Sequence, residues 1–330
     1  MLRRTLTRAR VPCIGLALMA IALAAIPAAA AAHRPRCFGH RATIVGAKHR
    51  HRIRGTHHRD VIVAGGGNDV VHGNGGKDVI CGNGGDDQIY GSDARNTLIG
   101  GAGRDYIDAE GGNDLVVGDQ ANPAGDADAR ASKDKIAGGE GRDFIVGDNY
   151  GSRNASGGAD DEMCPGAGGA GPGRDTVIGD SAVKGSGTAR GGGDDHICAE
   201  KGPDLVVGDS YSPSGQAIGG GNDRLNGDYR ADLILGDSYT ATGTAIGGGR
   251  DRVHGLWGND YLYGDSFAAT RSGTVSGGGG KDVVTGGDDD DHLVGSGKKD
   301  ICAGGAGHDV ADPSCETRLQ VEATKKVTRP

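Results

Sequence analysis

The sequence predicts an all-β fold, a parallel β-solenoid, on three observations. Residues 60–119 repeat every nine residues: Asp60, Asp69, Asp78, Asp87, Asp105 and Asp114 share one phase, and Asn96 fills the gap. An apolar side chain follows two residues after each, as Ile62, Val71, Ile80, Ile89, Leu98, Ile107 and Val116. Glycines fill most of the positions just before each Asp. A repeat this regular is read before any single element is assigned.

Each nonamer has two physical halves. The Gly-rich half tolerates φ > 0, so it turns tightly and exposes carbonyls. The Asp-x-apolar-x half suits a very short strand whose apolar side chain points inward and whose neighbours point out. Two nonamers make one coil, and coils stack at a strand spacing of roughly 4.8 Å. One side then carries Asp60, Asp78, Asn96 and Asp114, and the other carries Asp69, Asp87 and Asp105. Between stacked turns the pattern places carboxylates from two coils and inward-turned carbonyls. Such an all-oxygen, charge-dense cage suits a hard cation of the Ca²⁺ type, without which the carboxylates repel one another.

These residues resemble the hemolysin-type calcium-binding repeat, the RTX nonapeptide Gly-Gly-x-Gly-x-Asp-x-U-x, in which U is a large apolar residue. Residues 100–105, 138–143, 277–282 and 304–309 match it in full. The resemblance covers roughly residues 42–312. It implies a parallel β-roll with several Ca²⁺ ions in its turns.

Beyond Asp114 the phase is interrupted but continues as Asp134, Asp143, Asp175, Asp195, Asp204, Asp223, Asp232, Asp251, Asp260, Asp282, Asp291, Asp300 and Asp309. With the first seven positions these are the expected metal ligands. Six steps are long: 114 to 134, 143 to 175, 175 to 195, 204 to 223, 232 to 251 and 260 to 282. Each opens on a Gly-Asp pair, whose acid is Asp119, Asp148, Asp180, Asp209, Asp237 or Asp265. The inserts read either as outward loops, with Asp-Ser capping the turn, or as an extra short strand at 216–218, 244–246 and 274–276. The recurrence of Ile218, Ile246 and Val275 favours the strand. His58, Arg230, Asp289 and Lys298 replace the glycine two before the phase Asp, which marks weak or empty turns.

Composition excludes an ordinary globule. With 66 glycines and only 4% aromatic residues, the chain has little apolar surface to offset its ordering entropy without metal. Residues 1–32 read as a signal peptide: Arg3, Arg4, Arg8 and Arg10 precede an apolar run and a string of alanines. That run is short for a membrane span, and no other segment is suited to one. Arg3-Arg4 leaves twin-arginine export open, although a chain that folds on meeting calcium outside suits unfolded export. Removing residues 1–32 takes the formal charge from −8 to −12, which disfavours nucleic acid as a partner and fits a divalent-cation binder.

Residues 33–59 hold eight Lys or Arg, six of the 11 histidines and no acid. The phase persists there with Ala42 and His51 at the Asp positions, so the segment reads as an N-terminal cap of degenerate repeats. A cationic patch for anionic cell-surface polymers is the other reading. The remaining divisions are regular repeats at 60–119, interrupted repeats at 120–281, regular repeats at 282–312 and a tail at 313–330.

Six cysteines follow the signal segment: Cys37, Cys81, Cys164, Cys198, Cys302 and Cys315. They suggest an oxidising destination and allow about 15 pairings. Positions favour Cys37 with Cys81, Cys164 with Cys198, and Cys302 with Cys315. No Cys-x-x-Cys spacing points to zinc.

No His-Glu-x-x-His, Gly-x-Ser-x-Gly or phosphate-cradling glycine motif occurs. Proteins with the resembled repeat often carry a separate protease or lipase domain, and the repeats leave no room for one in this chain. The expectation is a secreted, extracellular or cell-wall-associated, non-enzymatic calcium-binding protein with a structural or cell-surface role. A secreted hydrolase and a polyanion binder acting through 33–59 are the alternatives.

Overall fold

A computed structural model describes residues 34–163, 173–199, 201–270 and 272–324. The expected signal peptide at 1–32 lies outside them. Among the described residues there is no helix, and the strands are short and almost all parallel.

Two long parallel ladders run the length of the repeats, thirteen strands in each sheet. One begins at Ile44–Val45, Val61–Gly66 and Val79–Gly84 and ends at Ala323–Thr324; we call it the Ile62 ladder. The other begins at Arg52–Arg54, Val70–His72 and Gln88–Ser92 and ends at Thr317–Leu319; we call it the Ile89 ladder. Register keeps equivalent apolar residues in line: Ile62 on Ile80, Ile80 on Leu98, and Leu98 on Val116. At a strand spacing of roughly 4.8 Å, thirteen strands extend on the order of 60 Å. The core is therefore a thin double stack, two inward side chains per coil, and Ile62, Val71, Ile80, Ile89, Leu98 and Ile107 are all fully buried.

The inserts are strands. Gln216–Ile218, Thr244–Gly247 and Thr274–Gly277 pair with Thr188–Arg190 and Ala155–Ser156 in a five-stranded sheet. A second insert strand, absent from the sequence reading, forms just after each Gly-Asp pair. Ala121–Asn122, Tyr150–Gly151, Ala182–Val183, Tyr211–Ser212, Tyr239–Thr240 and Phe267–Ala268 make a six-stranded sheet. Coils with an insert thus hold up to four strands. The inward residues of the five-stranded sheet are Ala189, Ala217 and Ala245, fully buried. Val275 aligns with these alanines and is 46% exposed, while Ile218 and Ile246 align with Ser276. The recurrence that favoured a strand was therefore one residue out of register.

The inserts fold back over the outer face of the Ile62 ladder. Residues three after the phase Asp, expected to face solvent, are covered there: Val146, Ile178, Val207, Leu235 and Tyr263 build a second core with Ala182 and Phe267. At the N-terminal end an antiparallel pair, Arg36–Cys37 with His40–Arg41, performs the same covering. Cys37 and Ala42 pack there on Val61, Val63, Val79, Cys81 and Ile99.

Cys37 is bonded to Cys81, and Cys302 to Cys315. Cys198 is also disulfide-bonded; its expected partner Cys164 lies outside the described residues.

Candidate metal centre

The phase Asp residues form two buried rows, one beside each ladder. Asp69, Asp78, Asp87, Asp105, Asp114, Asp134, Asp143, Asp175, Asp195 and Asp204 are each at most 4% exposed. So are Asp223, Asp232, Asp251, Asp260, Asp282, Asp291, Asp300 and Asp309. The two oxygens of each carboxylate have different surroundings. Oδ1 accepts a hydrogen bond from the backbone N–H of the phase residue one coil earlier: Asp60 N donates to Asp78 at 2.8 Å, Asp69 N to Asp87 at 2.7 Å, and Asp87 N to Asp105 at 2.8 Å. The bond survives the inserts, as from Asp204 N to Asp232 at 2.8 Å. Oδ2 has no hydrogen-bond partner in any of these eighteen residues.

Two members of the expected row differ. Asp60 Oδ2 accepts from Thr56 N at 2.6 Å and Thr56 Oγ1 at 2.8 Å, so its charge is satisfied by protein. Asn96 turns its Nδ2 to the Ser92 carbonyl at 3.0 Å and so presents no orphan oxygen.

Three glycines of the repeat have separate reasons. Those four and two before the Asp take φ > 0, as Gly101 (φ 114) and Gly103 (φ 125) do before Asp105. The one five before faces the orphan oxygen: a Cβ on Gly73 would stand 2.7 Å from Asp78 Oδ2 and 2.9 Å from the Gly91 carbonyl oxygen. Arg230 (φ 86) and Asp289 (φ 79) hold the left-handed position without glycine. Lys298 instead follows a left-handed Gly297 (φ 118).

Desolvation is the main electrostatic consequence. Burial pushes Asp78 and Asp87 up to about 6 despite the hydrogen bond each accepts. It pushes Asp105, Asp114, Asp282 and Asp291 up to about 8. Burial also holds Asp195 and Asp223 well above the ordinary carboxylate range, with neighbouring carboxylates adding to the shift. Buried carboxylate oxygens with no donor fit a cation. The donor set, carboxylates and turn carbonyls with no nitrogen or sulfur, fits Ca²⁺.

The sequence reading builds the cage from carboxylates of two coils together with turn carbonyls. Among the described residues no three His, Cys, Asp or Glu side chains converge tightly enough to hold an ion. Carboxylates of two coils therefore do not close a cage by themselves, and backbone carbonyls must complete it.

Three phase positions escaped the sequence reading. Asp161 sits in the Ile89 row: Asp134 N donates to its Oδ1 at 2.6 Å, its own N–H donates to Asp195, and its Oδ2 is an orphan. The step from 143 to 175 therefore contains a turn. The signal was present, since Gly157-Gly158-Ala159-Asp160-Asp161 parallels Gly191-Gly192-Gly193-Asp194-Asp195. At the C-terminal end Glu316 accepts from Asp300 N at 2.8 Å and Glu322 from Asp309 N at 2.6 Å, so glutamates close both rows. At the N-terminal end His51 N donates to Asp69 Oδ1 at 2.7 Å and offers no carboxylate of its own.

Such a fold and such turns define a parallel β-roll built on a repeated acidic turn. The family profile for the RTX calcium-binding nonapeptide repeat matches residues 55–89, 90–122, 128–149, 247–269 and 276–311. The matched segments are RTX calcium-binding nonapeptide repeats, and Ca²⁺ is the ion such repeats imply. The described residues of 150–246, outside those matches, continue both ladders in register; the inserts break the period without breaking the ladders. No curated protein matches the chain.

Proposed function

We propose that the chain is a secreted calcium-binding β-roll that folds or rigidifies when Ca²⁺ enters its turns, with a structural or cell-surface interaction role and no catalytic one. The observation that carries this reading is the unpartnered Oδ2 at eighteen of the expected phase positions. The ligands proposed are those phase Asp residues and Asp161, together with turn carbonyls. A bound cation supplies the positive charge that the buried rows lack. Binding is then coupled to folding, because the two rows exist only in the coiled chain. The disulfides support an oxidising, extracellular destination.

Far-UV circular dichroism during a calcium titration, with magnesium as control, tests this. A cooperative gain of β signal with calcium and none with magnesium is expected. A spectrum that ignores calcium would show that the apolar stacks and disulfides fold the chain unaided.

A second reading rests on the basic N-terminal segment. Arg34, Arg36, Arg41, Arg52 and Arg54 are exposed there and suit an anionic polymer. Cell-wall pull-down with and without residues 33–59 separates the two readings.

A further inference from the structure

A third row of carboxylates runs beside the Ile89 row, outside the nonapeptide pattern. It consists of Asp119, Asp148, Asp180, Asp209, Asp237 and Asp265, the acids that open the inserts, and each is at most 1% exposed. Each closes the base of its insert by accepting a backbone N–H from the returning strand. Asp180 accepts from Gly193 at 3.1 Å, Asp209 from Gly221 at 3.0 Å, and Asp237 from Gly249 at 3.1 Å. The glycine runs follow from this, because a Cβ on Gly191, Gly219 or Gly247 would collide with the acid of its own insert.

That closing role needs one oxygen, and an amide would serve it equally well. The carboxylates do something further. Consecutive members touch through their side chains: Asp119 with Asp148, Asp148 with Asp180, Asp180 with Asp209, Asp209 with Asp237, and Asp237 with Asp265. The Ile89-row acids Asp134, Asp161, Asp195, Asp223, Asp251 and Asp282 lie close enough to add repulsion. Among the described residues no Lys, Arg or His is paired with any member of the third row. Three oxygens of the row are buried and unpartnered, Asp148 Oδ1, Asp237 Oδ2 and Asp265 Oδ2, and so is Oγ of Ser238, which follows Asp237. Ser181, Ser210 and Asn149 are buried next to it and add neutral oxygens.

Anionic carboxylates in contact, away from water, require something positive between them. A proton can bridge one pair. A continuous row flanked by a second acidic row leaves each shared proton among further uncompensated charge. A divalent cation neutralises two carboxylates at once and takes the orphan oxygens as ligands. We infer that the insert acids form a second set of calcium sites, separate from the nonapeptide turns, in which carboxylates of two consecutive inserts share an ion with neighbouring Ser and backbone carbonyl oxygens. Each insert is then a calcium-binding element as well as a cover for the outer face. The inference rests on the calcium reading of the chain.

Equilibrium dialysis of Ca²⁺ against the full chain and against the triple variant Asp180→Asn, Asp209→Asn, Asp237→Asn tests it. Asparagine keeps the acceptor for the glycine N–H and removes the charge. The variant should bind at least two fewer ions per chain and keep its β signal in calcium. Asp78→Asn with Asp87→Asn should lose turn ions only, with an additive loss when the two sets are combined. If wild type binds calcium and the triple variant binds as many ions, the inference falls and the calcium reading stands. If wild type binds none, both fall. Should the triple variant fail to fold, Asp209→Asn alone decides: an unchanged ion count overturns the inference.

Discussion

Raising the pH of the calcium-free protein from about 4 to about 8 should unfold it, the reverse of ordinary acid denaturation. The sign follows from the buried rows. Asp105, Asp114, Asp282 and Asp291 are pushed up to about 8 by burial, from an ordinary 3.8. A raised folded value means that the native chain holds protons that the unfolded chain has released. Stability is therefore full below about pH 4 and is lost as pH rises toward about 8. Crediting each of the four with only two units, to allow for water reaching the turns, gives roughly 11 kcal/mol, at 1.36 kcal/mol per unit. A typical domain has about 5–15 kcal/mol in total, so these four alone suffice to unfold the apo roll. Urea melts followed by far-UV circular dichroism, across that pH window with a chelator and again with millimolar calcium, measure it. With calcium the loss should vanish above about pH 6, where the ion replaces the protons. A calcium-free stability that is flat or rises between about pH 4 and about pH 8 would refute the reasoning and show that the orphan oxygens are not buried charges.

Two substitutions probe the turn. Gly73→Ala places a Cβ 2.7 Å from Asp78 Oδ2 and 2.9 Å from the Gly91 carbonyl oxygen, so it should destabilise the calcium-loaded protein by about 2–3 kcal/mol, within the range for overpacking. Gly84→Ala is its control, since a Cβ there meets nothing nearer than 3.8 Å and should leave the urea midpoint unchanged or slightly raised. Arg230→Gly relieves a left-handed Arg at φ 86 and should stabilise by roughly 0.5–1 kcal/mol, after allowing for the extra freedom glycine gains in the unfolded chain. An unchanged or lower midpoint would show that other contacts of Arg230 outweigh the backbone strain.

Much of this molecule is legible in its sequence because the physics of a solenoid is local. The nine-residue phase fixes which side chain points inward, and one apolar residue per strand is enough to align Ile62, Ile80, Leu98 and Val116 in a stack. The same phase identified eighteen carboxylates that the fold buries with an orphan oxygen. The basic segment at 33–59 continued the phase without acids, and the structure places His51 and Ala42 where Asp would stand.

What the phase could not carry is which coil lies beside which residue once inserts vary the repeat. Coils measure 18 residues in the regular blocks and 27 to 34 across the insert-bearing region. Asp161 lies inside the long step from 143 to 175, and its hydrogen bonds with Asp134 and Asp195 are what assign it to the Ile89 row. The outward faces of Val146, Val207 and Leu235 are apolar for a partner that arrives from an insert in the same coil, and strand alternation alone assigns them to solvent. The split between the two carboxylate oxygens, one held by the N–H of the previous coil and one free, likewise exists only when the coils are stacked. Periodicity along the chain determined the ladders and the acidic rows. Contact between coils, set by insert length and backbone hydrogen bonding, decided which oxygens are left for a cation.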